Sequence, residues 1–171
     1  MAYTMQDIHR IVGGEWILRG SDGIPVRELL IDSRRLLSPP QTLFFAFITS
    51  RNDGHRYIRD LYEKGVRNFI VSRAPEELPA EDPPNVIRVN DTLHALQALT
   101  AFHRGQFTCP VIGITGSNGK TIVKEWLFQL MGKDKRIVRS PKSYNSQIGV
   151  PLSVWQMDHD DQLGIIEAGI S

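Results

Sequence analysis

Residues 111–121, Val-Ile-Gly-Ile-Thr-Gly-Ser-Asn-Gly-Lys-Thr, constrain this chain more than any other stretch. Val111, Ile112 and Ile114 form a short apolar run of the kind that makes a buried strand. A glycine-rich turn, Gly116-Ser117-Asn118-Gly119, follows at once, and then Lys120-Thr121. Ile122, Val123, Trp126, Leu127 and Leu130 recur at helical spacing. A strand that passes through a glycine turn into Lys-Thr and a helix is the layout of a phosphate-binding loop, and it implies an α/β fold.

Each residue type in the loop has a chemical reason. Glycines reach positive φ and let the backbone approach a ligand closely. Successive N–H groups then converge into an anion nest at a helix N-terminus. Lys120 is placed to reach the β and γ phosphates of a nucleotide, and the Thr121 hydroxyl to ligate Mg²⁺. The match to G-x-x-x-x-G-K-[ST] is incomplete, because Ile114 stands where the first glycine belongs. The loop is a variant tightened around Gly116. The alternative is an ordinary strand–turn–helix that carries Gly-Lys-Thr by chance.

A content of 41% hydrophobic and 23% charged residues fits a globular protein, and a net charge of +1 gives no global field for nucleic acid or a membrane surface. The single cysteine, Cys109, excludes an internal disulfide framework and fits a reducing compartment. No apolar run is long enough to span a membrane, and the N-terminus lacks a secretory signal, so a cytoplasmic protein is expected.

Thr4 and Asp7 predict a capped helix with Met5, Ile8, Ile11 and Val12 on one face, ended by Gly13-Gly14. Strands are predicted at 15–19, 26–31, 42–48, 69–71 and 86–89, with a helix from His55 to Lys64. The stretch from Ala74 to Pro84 reads as a surface loop. Asp91 predicts a helix that turns Leu93, Leu96, Leu99 and Phe102 inward. The texture changes at residues 106–110, which read as a linker. Two domains are therefore expected: 1–107, a small α/β domain, and 108–171, the start of a nucleotide-binding domain with strands at 111–115, 136–139 and 163–167. A chain that ends at Ser171, directly after a strand, is expected to be part of a longer protein.

Other residues carry candidate chemistry. Glu167 ends the apolar run Leu163-Gly164-Ile165-Ile166, and ligands of open α/β sheets sit at the carboxyl ends of strands. It is either a metal ligand of the Walker-B kind or a solvated loop glutamate. Residues 143–151, Ser-Tyr-Asn-Ser-Gln-Ile-Gly-Val-Pro, form either a substrate-contacting loop or a helix N-cap. Asp32-Ser33-Arg34-Arg35 suits a phosphate contact or a solvated turn. His55 reads as a capping or surface residue. His9, His94, His103 and His159 have no metal-ligand spacing.

Together these pieces resemble the Mur ligase family. Residues 115–121 resemble its ATP loop, which also lacks the usual first glycine. Asp32-Ser33-Arg34 resembles its N-terminal motif near the uridine nucleotide, Asn145 to Pro151 its substrate loop beside ATP, and Glu167-Ala168-Gly169 its metal-binding glutamate motif. Val123-Lys124-Glu125 and Ile148-Gly149-Val150-Pro151 look most like the MurF branch. The ending Glu-Ala-Gly-Ile-Ser resembles versions fused ahead of an alanine racemase. The MurE branch is the near alternative.

The resemblance implies an ATP- and Mg²⁺-dependent ligase of peptidoglycan synthesis, monomeric, that joins D-alanyl-D-alanine to UDP-N-acetylmuramoyl-tripeptide through an acyl phosphate. Carried onto this chain, it implies that Thr115, Gly116, Ser117, Asn118, Gly119, Lys120 and Thr121 hold ATP, with Lys120 catalytic. Thr121 and Glu167 hold the metal. Ser33 and Arg34 lie near the UDP end, and Asn145 and Ser146 near the junction of ATP and substrate. The family's carbamoylated lysine, metal-binding histidine and C-terminal domain fall outside these 171 residues, so no ligase activity is expected of this chain alone. Folylpolyglutamate synthase is disfavoured because it begins directly with the phosphate-loop domain. A non-catalytic nucleotide-binding module is the alternative of a different class.

Overall fold

Thr4 starts the first helix, α1 (Met5–Val12), through a complete capping box: its side chain accepts from the Asp7 N–H while the Asp7 carboxylate accepts from the Thr4 N–H. The computed structural model describes every residue except 22, 76–78, 80, 170 and 171. Part of the loop expected at 74–84, and the Ile170-Ser171 end of the last motif stretch, therefore lie outside the described residues. Five strands follow in the first part of the chain: β1 (Glu15–Leu18), β2 (Glu28–Leu30), β3 (Thr42–Phe45), β4 (Asn68–Val71) and β5 (Asn85–Arg88). Their order in the sheet is β1-β5-β4-β3-β2, parallel throughout except for β1, which runs antiparallel to β5.

The central strands read as continuous apolar runs because both faces of the sheet are covered. Phe44, Phe69, Val71 and Val86 join one core with Ile58 and Leu61 of helix α2 (Ile58–Glu63), and the Phe44 and Phe69 rings meet edge to face at 6.4 Å. The alternate residues Leu43, Phe45, Ile70 and Ile87 are equally buried. The third strand is shorter than expected. It stops at Phe45, and Ile48 is exposed beyond it, in an isolated bridge to Asp53. The helix expected from His55 opens instead with a 3-10 turn, Gly54–Tyr57.

Helix α3 (Thr92–Gly105) begins at Asp91, whose carboxylate accepts from the Leu93 and His94 N–H groups. Leu96 and Leu99 are buried as expected, but Phe102 is exposed and His103 is buried in its place. Helical geometry explains the exchange: His103 lies four residues after Leu99 and seven after Leu96, in phase with both, whereas Phe102 is not. The His103 ring meets Phe107 edge to face at 4.9 Å and lies tilted at 4.6 Å from Trp155. Arg104 donates to the carbonyls of Phe107 and Cys109. Residues 106–110 are thereby tied to the end of α3. The chain divides into two compact units at Met1–Leu96 and Gln97–Ser171, ahead of that segment.

The second unit holds a three-stranded parallel sheet, β6 (Val111–Ile114), β7 (Ile137–Arg139) and β8 (Leu163–Glu167), in the order β6-β8-β7. β8 is central, and all five of its residues are buried. Helix α4 (Lys120–Met131) follows β6, and the short helix α5 (Gly149–Val154) precedes β8. α4 turns Lys124 into the unit and leaves Ile122, Val123, Trp126 and Leu130 exposed. Thr121 contacts Glu167 from the first turn of α4, and Lys124, three residues on, lies on the same face. No helix among the described residues is long and apolar enough to cross a membrane.

Candidate active site

Parallel pairing of β6 with β8 sets Ile114 opposite Glu167, so the two strands end side by side. The Ala168 N–H extends this ladder to the Ile114 carbonyl at 2.8 Å. Past Ile114 the chain turns through Gly116 at φ +138° and Gly119 at φ +76°. A Cβ at Gly119 would meet nothing within 4 Å, so it is the backbone conformation that calls for glycine there. No side chain caps α4 at Gly119, which suits a helix N-terminus that receives an anion. Lys120 Nζ bends back over the loop and donates to the Gly116 carbonyl at 2.6 Å. Thr115, Ser117, Asn118 and Gly119 are exposed on the same loop.

Thr121 lies in the first turn of α4, directly against Glu167. Its hydroxyl is 2.9 Å and 3.1 Å from the two carboxylate oxygens. Glu167 is 1% exposed, so it is not a solvated loop glutamate. Asn145 Nδ2 donates to Glu167 Oε1 at 2.9 Å, and the Asn145 carbonyl accepts from the Gly169 N–H at 2.6 Å. These two bonds clasp the loop before α5 to the end of β8. The Ser146 hydroxyl accepts from the Gly149 N–H at 3.0 Å, at the start of α5. Asn145, Ser146, Gln147 and Pro151 line an open cleft of about 450 Å³.

Behind Glu167 stands Lys124, with no exposed side-chain surface. Its ammonium donates to the carbonyls of Ser140, at 2.9 Å, and Lys142, and lies 3.7 Å from Glu167 Oε2. The Ser140 hydroxyl accepts from the Glu167 N–H at 2.9 Å. Lys142 is held at φ +51°. Sequence reasoning assigned neither Lys124 nor Ser140 a place in the site. The available signal was the position of Lys124, one helical turn after Lys120 and so on the face that the loop turns inward.

The donors present fit Mg²⁺. A hydroxyl and a carboxylate are hard oxygen ligands, and Mg²⁺ commonly takes only one or two protein oxygens and completes its shell with phosphate and water. No cluster of three or more His, Cys, Asp or Glu side chains suited to a metal occurs among the described residues. A metal here would therefore depend on Thr121, Glu167 and a phosphate-bearing ligand.

Ser33 and Arg34 belong to the first unit and the loop residues to the second. Ser33 lies on a 3-10 turn, Ser33–Arg35, capped by Asp32. The Arg34 guanidinium forks onto Asp32 at 2.9 Å and 2.7 Å while remaining 86% exposed. This contact lowers the Asp32 pKa to about 2. His55 is buried rather than on the surface. The Ser72 N–H donates to its Nε2, which fixes the proton on Nδ1, where it is donated to Asp53 at 2.7 Å. Arg73 also binds Asp53 and is the main reason that this carboxyl titrates well below the usual range.

The pattern of the Mur ligase middle domain matches residues 114–171. The UDP-N-acetylmuramoyl-tripeptide–D-alanyl-D-alanine ligase of Bacillus subtilis is 30% identical over 168 residues, which is 98% of this chain and 36% of that protein. Residues 114–171 thus match a Mur ligase middle domain, and the chain is similar to Mur ligases along nearly its whole length. A crystal structure of MurF from Acinetobacter baumannii superposes with a TM-score of 0.85 at 26% identity, over 99% of this chain and 36% of that one. MurF from Thermotoga maritima, solved in complex with ADP, gives 0.71 at 25% identity, over 84% of this chain and 32% of that one. The chain thus spans about a third of the length of the Mur ligases it matches.

Proposed function

We propose that this chain supplies the first substrate-binding domain and the phosphate-binding half of the ATP site of a Mur ligase of the MurF type. The reaction would join D-alanyl-D-alanine to UDP-N-acetylmuramoyl-tripeptide in peptidoglycan synthesis. The observation that carries the reading is the contact between Thr121 and Glu167, buried beside a positive-φ glycine loop at the ends of two adjacent parallel strands. Similarity to MurF proteins along nearly the whole chain supports it. The ADP in the Thermotoga maritima relative supports an adenine nucleotide as the ligand.

Residues 115–121 would cradle the phosphates through backbone N–H groups. Lys120 would leave the Gly116 carbonyl and follow the charge that develops on the transferred phosphoryl group. Thr121 and Glu167 would hold Mg²⁺, which neutralises charge on the β and γ phosphates. The tripeptide carboxylate would take the γ-phosphoryl group to form an acyl phosphate. The amine of D-alanyl-D-alanine would then attack the acyl carbon and expel phosphate. Asn145 and Ser146 would border that junction, and Ser33 and Arg34 would contact the uridine diphosphate end. The assay is release of phosphate from ATP by the full-length protein, with both substrates present and each omitted in turn. Release that ignores the UDP-linked tripeptide refutes the ligase reading. Retained nucleotide binding together with no affinity for any UDP-sugar removes the role given to the first unit.

A further inference from the structure

Lys124 lies outside the phosphate loop, yet it is the cation that Glu167 faces from inside the fold. Its side chain and that of Glu167 are 0% and 1% exposed, and the ammonium lies 3.7 Å from Oε2. Two backbone carbonyls, of Ser140 and Lys142, fix the ammonium where it stands. Glu125 also lies 3.3 Å from it, but that carboxylate is a third exposed and is paired with Arg139. The charge of Glu167 is therefore already balanced before any metal arrives. Its oxygens are further occupied by Thr121 and Asn145.

A bare divalent cation entering between Thr121 and Glu167 would gain one carboxylate and meet the Lys124 ammonium behind it, in a place where water screens little. A cation that arrives on a nucleotide brings several negative charges with it, and the balance reverses. We propose that Lys124 is a positioning residue that withholds Glu167 from free divalent cations, so that the metal enters this site only together with the nucleotide phosphates. The proposal rests on the nucleotide reading of the same site. It assigns the selectivity to a residue that touches neither metal nor nucleotide.

The test titrates Mn²⁺ into the full-length protein in the absence of nucleotide, with free ion followed by electron paramagnetic resonance. The wild type should show no uptake at Glu167 tighter than about 1 mM, the weak end of oxygen-ligand sites. Lys124→Met, which removes the charge and keeps the length, should bind Mn²⁺ at least about tenfold more tightly. Lys124→Arg, which keeps the charge, should behave as the wild type. A gain of binding separates this role from a merely structural one, since a disturbed fold loses sites. Wild-type and Lys124→Met proteins that take up Mn²⁺ equally, both folded by circular dichroism, overturn the proposal. If Lys124→Met does not fold, the wild type decides: tight uptake of bare Mn²⁺ that Glu167→Gln abolishes overturns the proposal, and its absence upholds it. Mn²⁺ with ATP is titrated into the wild type alongside. Failure to bind there refutes the nucleotide reading itself, whereas intact binding confines a negative result to Lys124.

Discussion

Lys124→Met and Glu167→Gln should each destabilise the second unit, and together cost less than the sum of the two. The ammonium and carboxylate are 3.7 Å apart with almost no exposure. Their direct attraction is on the order of 4 kcal/mol at an effective dielectric constant of about 20. Desolvation of both ions offsets much of that, so the net contribution of the pair is small while the loss from removing one partner is large. Lys124→Met also strips the Ser140 and Lys142 carbonyls of a charged donor. Each single change should cost about 3 kcal/mol, the lower end for a broken buried pair. In the double variant neither charge is left unpaired, and the coupling should be about 1–3 kcal/mol. Urea unfolding of the full chain measures this, followed by Trp155 in the second unit. Costs that add within about 0.5 kcal/mol would refute the idea that the two side chains act as a pair.

Gly119→Ala should cost about 1 kcal/mol of stability, because an L side chain at φ +76° is strained although the space around it is empty; equal urea midpoints would contradict this. The ring of His103 is buried, which pushes its pKa below the ordinary value, and Nε2 is placed to donate to the Met157 carbonyl. The folded chain therefore binds this proton less readily than the unfolded chain does. The stability contribution is present above pH of about 6.5 and falls as pH drops below it, by no more than about 1.4 kcal/mol per pH unit for one proton. His103→Gln should flatten that slope in thermal melts taken between pH 7 and 5. Asp53→Ala should cost about 2 kcal/mol in the first unit, since one carboxylate serves the His55 N–H, the His55 ring and Arg73; the readout is its thermal midpoint.

The strand, glycine turn and helix at 111–131 were legible in the sequence because glycine, lysine and threonine are each required by a local conformation or a local contact. Neighbouring elements were legible for the same reason: the capping box at Thr4 and the cap at Asp91 are short-range hydrogen bonds. The position of Glu167 against Thr121 was only half legible. Residues 163–167 show a strand that ends in a carboxylate, but nothing in them says that this strand lies beside β6, and that pairing is what brings Glu167 to Thr121. Lys124 carried only a weak signal, its place one helical turn after Lys120. A lysine on an amphipathic helix normally faces water, and the apolar residues Ile122, Trp126 and Leu130 suggest the opposite inward face. In this chain, which spans about a third of the Mur ligases it matches, those apolar residues are exposed while Lys124 faces Glu167. On α3 it is His103, in phase with Leu96 and Leu99, that is buried and Phe102 that is exposed.

On the proposed reading, residues 115–121 and Glu167 form one site for a metal-bound nucleotide. Calorimetric titration of ATP into the full-length protein, with and without Mg²⁺, tests it most directly. Binding should strengthen with Mg²⁺ and weaken by at least about tenfold in both Lys120→Ala and Glu167→Gln, the loss of one charged contact each. Nucleotide binding that is indifferent to Mg²⁺ and to both substitutions would contradict it.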